Sequence, residues 1–364
     1  MSNLMSFHGI KQMLLYGLCM IVALSWMNGM PYAAADSTFE DDEASLNLTI
    51  KPEASTEKSS GIGFYFDTVV SITLYGADDT LLQDIWTLCQ REENLLSKTI
   101  STSDVARINT SDGEPVTVDP ETWSILQSGK AYNAVSGGAF CLTIGALTSI
   151  WDFSGNTAVV PSEALRNAAV AKVDDTQLTL EEPNTVVLSP GYSIDLGGIA
   201  KGWIANQVAA LCENRCLGAA ISLGGNVYVT GSKPDGSLWK VAIQDPDNPN
   251  TGYAAVLQLT KGSVVTSGVY QRYFYKDGIR YHHILNPETG LPADTGLVSV
   301  TVISEDSMIC DALATAVMVM GIESGLQLLN DQGLDGLLIT ADRQMYLTEG
   351  FAEKYQLVSY LDND

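Results

Sequence analysis

Ser193-Ile194-Asp195-Leu196-Gly197-Gly198-Ile199-Ala200-Lys201-Gly202 is the stretch on which the fold reading turns. An acid ends a strand, two glycines let the backbone come close to another group, and a helix opens with its first amides free. That helix runs from Ile199 to Cys212, with Trp203, Ile204, Val208 and Leu211 on one face. In a doubly wound sheet, a parallel strand and a further helix would follow. Here strand-like segments follow one another instead, at 219–230, 238–244, 253–259, 263–267, 271–276 and 298–303. A helix near 310–320, a shorter one at 323–330 and two last strands close the chain. Upstream, Phe64 to Tyr75 is β-branched and aromatic, 80–97 carries Leu81, Ile85, Trp86, Cys89 and Leu96 on a helical stripe, and Asp119-Pro120 starts another helix. Without a βαβ beat the class is α+β, two intertwined lobes of sheets and helices. No polar linker divides the chain beyond residue 60 and no fixed-period repeat is present, so 61–364 reads as one catalytic unit.

The 364 residues hold nineteen Lys plus Arg against forty-three Asp plus Glu, a net charge of −24. With 46% hydrophobic and 17% charged residues and 32 glycines, this is the composition of a turn-rich globule. So few cations exclude a large nucleic-acid interface, which needs them to replace phosphate counterions, and exclude polybasic adhesion to anionic lipid. An anionic ligand must rely on backbone donors, a lone Lys or Arg, or a bridging metal.

Residues 14–27, LLYGLCMIVALSWM, form an apolar run after Lys11 and before Ala33-Ala34-Ala35. A weakly basic start, an apolar stretch too short for an ordinary span and small residues at −3 and −1 make residues 1–35 an export signal, with cleavage expected after Ala35. A retained anchor or a lipidated Cys19 are the alternatives. Residues 36–60, rich in Asp, Glu, Ser and Thr, read as a flexible acidic stalk. An exported, extracytoplasmic protein, tethered to the membrane in the second case, is the expectation. Six cysteines, five without the signal, preclude a full disulfide framework, and Cys212 and Cys216 read as thiols; with no CxxC and three His, an ordinary zinc site is not expected.

Four segments could carry chemistry. The Asp195–Gly202 turn suits an anion at a helix start with Lys201 beside it, or is a plain strand–helix turn. Tyr281-His282-His283-Ile284-Leu285-Asn286-Pro287-Glu288-Thr289-Gly290 holds two of the three His at a strand end, as base or ligand donor, or as ordinary strand residues. Asp311 and Thr315, four apart on a helix, present a carboxylate and a hydroxyl on one face, a pairing that suits Mg²⁺; otherwise Asp311 is a first-turn acid and Thr315 bonds its own helix. Ser222-Leu223-Gly224-Gly225-Asn226 is a ligand wall or plain sheet geometry.

Taken in order, DTVVSITLYG at 67–76, GGAFCLTIGALTSIWDFSG at 137–155, SIDLGGIAKG at 193–202, SLGGNVYVTG at 222–231, HILNPETGLP at 283–292 and DALATAVMVMG at 311–321 resemble the FAD:protein FMN transferases, the ApbE-type flavin transferases. The resemblance covers about residues 62–350. It implies a two-lobed α+β fold with FAD between the lobes, and Mg²⁺-dependent transfer of FMN from FAD to a Ser or Thr hydroxyl of an acceptor protein, a membrane electron-transfer protein, with release of AMP. It implies metal ligation by Asp311, Thr315 and the carbonyl of Gly198, contacts to the flavin nucleotide from Phe66, Thr99, Ala139, Phe140, Cys141, Asp195 and Lys201, and a general base in His283. His282, on the opposite face of its strand, is expected to tolerate replacement, and Asp311 to line a surface site whose loss leaves the protein folded.

Several positions depart from the family pattern. Cys141 stands where Asp is common after GAF, Thr99 where an aromatic often faces the flavin, Phe66 where Met is common, and Asn286 where Asp is usual. No acceptor motif, an acid followed by Ser/Thr-Gly-Ala-Thr/Ser, is present, so the chain resembles the enzyme and not its target. An FAD pyrophosphatase of the same fold and an exported FAD-binding protein without turnover remain the competing readings.

Overall fold

Strands such as Gly218–Leu223 and Asp335–Thr340 are apolar or small at nearly every position and buried along nearly their whole length, so both faces of their sheet must be covered. The computed structural model describes residues 56–153 and 158–359. In chain order it has β1 (Lys58–Tyr65), β2 (Thr68–Tyr75), α1 (Leu81–Leu96), α2 (Asp104–Asn109), β3 (Val116–Thr117), α3 (Pro120–Val135), α4 (Gly145–Thr148), α5 (Glu163–Val170), β4 (Leu178–Glu181), β5 (Thr185–Leu188) and α6 (Ala200–Cys212). There follow β6 (Gly218–Leu223), β7 (Asn226–Gly231), β8 (Trp239–Gln244), β9 (Tyr253–Leu259), β10 (Gly262–Gly268), β11 (Tyr273–Lys276), β12 (Ile279–His282), β13 (Leu297–Ser304), α7 (Ser307–Met320), α8 (Ile322–Asp331), β14 (Asp335–Thr340), β15 (Met345–Leu347), α9 (Phe351–Lys354) and β16 (Gln356–Ser359).

The centre is an eight-stranded sheet in the order β1-β2-β6-β7-β10-β13-β14-β15, antiparallel at every pairing. Its side chains alternate between two cores. Ala219, Ile221, Leu223, Val265, Val300, Val302 and Leu338 join the larger core, which α1, α6 and α7 cover. Ala220, Val229, Val264, Ile303, Leu337 and Ile339 point the other way, against Trp239, Val241, Ile243 and Leu257 of the three-stranded sheet β16-β9-β8. Side chains of alternate residues on opposite faces account for this. A second three-stranded sheet, β3-β5-β4, and the ribbon β11-β12 complete the architecture. The α+β class is therefore present.

Two differences from the sequence reading bear on the site. The run Phe64 to Tyr75 is not one strand but the second half of a hairpin whose two-residue turn is Phe66-Asp67, both at φ 55°. Turns of this kind favour Gly or Asn, so nothing in the run announces one. Strand β1 also already includes Lys58–Ser60, so ordered structure starts before the expected stalk boundary. The export signal and most of the stalk lie outside the described residues. Among the described residues no helix is long and apolar enough to cross a membrane.

Candidate active site

Helices α6 and α7 meet at a backbone approach that only glycine permits. A Cβ at Gly202 would lie 2.3 Å from the carbonyl oxygen of Ser307 and 2.6 Å from the Cα of Met308. That closeness brings the first turn of α6 onto the carboxylate of Asp311. Gly202 N donates to Asp311 Oδ2 at 2.9 Å, and Lys201 Nζ lies 3.3 Å from Asp311 Oδ1 while also donating to Gly197 O at 3.1 Å. Asp311 is buried at 3% exposure, not surface-lined as expected, so it is a structural tie as well as a site residue. Thr315, one turn further along α7, donates to Asp311 O at 3.3 Å. Gly198 lies against it, since a Cβ there would be 3.6 Å from Thr315 Oγ1 and 3.3 Å from the ring of Phe140. Residues 110 positions apart in the chain thus converge.

Asp195, three residues before Gly198, is held from several sides. Lys98 Nζ reaches its Oδ2 at 2.6 Å, Thr148 Oγ1 donates to the same oxygen at 2.8 Å, and Gly197 N donates to Oδ1 at 2.9 Å. Burial alone would raise its pKa, but Lys98 and these donors outweigh it and hold the carboxyl below its ordinary value. Thr99, next to Lys98, is exposed, with Oγ1 3.0 Å from Ser97 Oγ. Phe140, buried, forms the wall beside Gly198, with Ala139 and Cys141 its chain neighbours. The Cys141 thiol donates to Gly138 O at 2.9 Å and accepts from Asn133 Nδ2 at 3.3 Å. Burial and then Asp175 push it up to about 12, so it stays a thiol where the family commonly has an acid.

The third part comes from turns at one end of the central sheet. Phe66 and Asp67 occupy a conformation unfavourable for bulky residues, and the fold over-determines it. Phe66 N donates to Glu93 Oε1 at 2.8 Å, and Arg272 Nη2 donates to Asp67 O at 3.0 Å. The Gly224-Gly225 turn lies alongside; a Cβ on Gly224 would meet Thr68 Oγ1 at 2.0 Å, so the pair serves close turn packing. Arg272 in turn accepts the His283 amide on its carbonyl at 3.0 Å, which continues the β11–β12 ladder by one pair.

The His283 ring is half-buried and its Nδ1 is sealed without a hydrogen-bond partner. Burial first, then the charges of Arg272, His282 and Lys201, lower its pKa to about 3, so the free protein holds a neutral imidazole, not one poised near pH 7. His282 corrects an expectation. It does face away from His283, but it is 6% exposed, with Nε2 3.0 Å from Ala293 O, and burial lowers its pKa to about 4. Replacing it would open a buried contact. Asn286 keeps the work an Asp would do: its Oδ1 accepts from Glu288 N at 2.8 Å and Thr289 N at 3.2 Å and fixes the following turn.

Gly198, Lys201, Asp311, Thr315 and Phe140 are in direct contact; Asp195 joins them through the Gly197 turn, and His283 through the fields of Lys201 and Arg272. Thr99 and Phe66 stand on flanking turns. Lys98, Thr148 and Arg272 are missing from the sequence reading, because nothing in their spacing distinguishes them from surface residues. Among the described residues no three His, Cys, Asp or Glu side chains gather as a metal site. Asp311 and Thr315 beside the Gly198 backbone are an all-oxygen set with one charge, the kind of set that leaves a hard cation free to take phosphate oxygens. The Lys201 ammonium already resting on Asp311 shows that the carboxylate accepts a cation there.

The chain is similar to known proteins over most of its length. A model of the ApbE family matches residues 66–338. The FAD:protein FMN transferase of Treponema pallidum (strain Nichols) is 35% identical over 295 residues, covering 76% of this chain and 82% of the relative. That of Klebsiella pneumoniae (strain 342) is 36% identical over 284 residues, covering 77% and 88%. Among solved structures, the ApbE protein of Thermotoga maritima superposes with a TM-score of 0.77 at 32% identity, over 82% of this chain and all of that one. The flavin transferase ApbE of Vibrio cholerae does so with a TM-score of 0.75 at 29% identity, over 82% and 99%.

Proposed function

The chain belongs to the ApbE family and transfers FMN from FAD to a protein; from that premise we propose that the transfer requires Mg²⁺, that the acceptor atom is a Ser or Thr hydroxyl oxygen, and that AMP leaves. The observation that carries this reading is the α6–α7 junction, where Asp311, Thr315 and Gly198 converge beside Lys201 in a protein with few other cations to meet a pyrophosphate.

Asp311, Thr315 and the Gly198 carbonyl would hold the metal. When bound, Mg²⁺ supplies positive charge against the pyrophosphate oxygens as the bridging P–O bond breaks. The chain's own groups do the rest. Lys201 and Arg272 both bring positive charge to bear on the His283 ring. Asp195, fixed by Lys98 and Thr148, stays ionised and oriented as an acceptor for the flavin nucleotide's donors. The buried Phe140 ring would exclude water from the Gly198 side. The acceptor oxygen attacks the flavin-side phosphorus, the bridging oxygen departs with AMP, and the hydroxyl proton passes to the neutral His283 imidazole. An incoming pyrophosphate offsets the charges of Lys201 and Arg272, which raises the basicity of His283 when it is needed.

Location belongs to the same proposal. The apolar run at 14–27 and Ala33-Ala34-Ala35 support export, with the acceptor a membrane electron-transfer protein on the same side. The test is incubation with FAD, Mg²⁺ and a candidate acceptor, followed by intact mass. An FMN adduct on a Ser or Thr of the acceptor, abolished by a chelator, is the expected result; free FMN without an adduct would replace transfer by hydrolysis.

A further inference from the structure

Among the described residues the ribbon β11–β12 has no third strand. Its base is anchored, because Phe274 is buried at 7% exposure against Trp151, Phe153 and Tyr281. Its outer half is not. Tyr275 is 59% exposed and Ile279 57%, and the register Tyr275↔Arg280, Lys276↔Ile279 puts them on opposite faces. A two-stranded ribbon is marginal by itself, and large apolar side chains left in water on both faces add nothing to its stability. Each is matched by a cation directly across the ladder, Arg280 beside Tyr275 and Lys276 beside Ile279. Arg280 also lies 5.9 Å from the ring of Tyr273. Among the described residues neither Lys276 nor Arg280 has a carboxylate partner. With Arg272 at its root, the ribbon bears three cations against the single acid Asp277, on a chain whose net charge is −24.

We propose that the outer half of this ribbon is the docking surface for the acceptor protein, and that it engages an acidic segment beside the hydroxyl that receives FMN. The proposal rests on the transfer reading above. The ladder that presents Tyr275 is the one that ends at His283, since Arg272 O accepts the His283 amide. Tyr275 stands three residues beyond Arg272, about 10 Å along an extended strand. A segment held on the ribbon therefore keeps a neighbouring hydroxyl within a few residues of the reacting phosphorus. Exposed apolar groups paired with unneutralised cations fit an acidic, partly apolar partner, and the strong negative charge of the whole chain opposes a second copy of itself.

Two fluorescently labelled peptides of equal length, each with one Ser, serve as probes, one flanked by Asp and Glu and the other by Lys. Each is titrated against the full chain with FAD and Mg²⁺, using wild type, Lys276→Glu/Arg280→Glu and Tyr275→Ser/Ile279→Ser. The acidic peptide should bind wild type and bind both variants about tenfold or more weakly, and its binding should weaken with salt wherever Lys276 and Arg280 remain, not in Lys276→Glu/Arg280→Glu. FAD affinity and acceptor-free FAD cleavage should be unchanged in both variants, which shows that they are folded. Equal binding to wild type and variants, or no preference over the lysine-flanked peptide, overturns the proposal. So does a concentration-dependent dimer, or binding to phosphatidylglycerol vesicles, that disappears in the Tyr275→Ser/Ile279→Ser variant. Ribbon-dependent binding of the acidic peptide with no FMN appearing on any protein would instead strike at the transfer reading and leave the surface standing.

Discussion

Replacing Asp311 by Ala should separate its two duties. The carboxylate accepts the Gly202 amide at 2.9 Å in a junction too tight for water to enter, because Gly202 lies directly on the backbone of Ser307 and Met308. Losing that acceptor leaves a buried N–H unsatisfied, at a cost of about 1–3 kcal/mol. Lys201 also loses its partner. Its side chain is 24% exposed, so water restores part of its solvation and the loss stays below the about 3–5 kcal/mol typical of breaking a fully buried pair. The sum expected for Asp311→Ala is about 2–4 kcal/mol. Asp311→Asn keeps an oxygen for the Gly202 amide and removes only the charge, so its cost should be about half as large. Both should abolish Mg²⁺-dependent FAD cleavage. Urea unfolding followed by tryptophan fluorescence measures the first effect, and chromatographic separation of FAD, FMN and AMP at saturating Mg²⁺ measures the second. An Asp311→Ala midpoint equal to wild type would refute the junction as the source of the cost. Retained cleavage in a folded Asp311→Asn protein would remove the residue from the metal site.

His283→Ala should leave FAD affinity within a few-fold and lower transfer by about 10²–10⁴-fold, the scale of a lost general base. Because the free ring titrates at about 3, the acid limb of kcat/KM should lie well below pH 6.5, with that of kcat higher once pyrophosphate offsets Arg272 and Lys201; a kcat/KM limb at 6.5 would contradict the burial. Lys98→Met should leave burial to push the Asp195 carboxyl above its ordinary value, so FAD affinity, titrated at pH 5 and pH 8, should become weaker at the lower pH only in the variant. Glu92 is fully buried, with Trp203 Nε1 at 3.3 Å and Arg91 Nη1 at 3.0 Å; burial and then Glu121 raise its pKa from 4.5 to about 7. A raised carboxyl keeps its proton in the folded state while the unfolded chain has lost it, so this contribution is full below pH 4.5 and fades as pH rises to about 7. Glu92→Gln should lack that fall, which urea midpoints at pH 4.5 and pH 8 compare.

The strands of the central sheet were legible because burial on both faces writes itself as unbroken β-branched and small residues, as in Leu297–Ser304. Helix α2 was not, since six residues, Asp104–Asn109, are too few to show a period. The Phe66-Asp67 turn was hidden for a different reason. Its backbone is held by Glu93 and Arg272, 27 and 205 residues distant, so tertiary contacts override the local preference. The site divides in the same way. Asp311, Thr315, Gly198 and Lys201 were accessible because helix spacing and paired glycines carry geometric meaning. Lys98 and Arg272 owe their place to chain crossings that no spacing encodes. The low pKa of the free His283 ring was not legible either, because burial dominates its titration, and burial is a property of the assembled walls.

The α6 N-terminus shows how an acidic protein can serve a polyanion. A helix start of this kind can draw an anion from solution, and the sequence reading offers that role beside a plain strand–helix turn. In the fold the anion is the protein's own: Asp311 takes the Gly202 amide in the first turn of α6, and Lys201 from the same turn covers its other oxygen. A pyrophosphate therefore finds no vacant amide at Gly202. What it finds is a carboxylate already oriented by the helix end, with Thr315 a turn away and Gly198 behind it, so in the proposed metal site the helix charge would act at one remove, by fixing the oxygens that hold the cation. The arrangement explains why the glycines matter more than added positive charge. A side chain at Gly202 would push α7 off α6 by about 1 Å, since nonbonded carbon and oxygen need more than 3 Å, and would carry Asp311 and Thr315 together away from Gly198. The placing of Asp311 and Thr315 against Gly198 and the helix packing are thus one constraint, met at the place where two backbones touch.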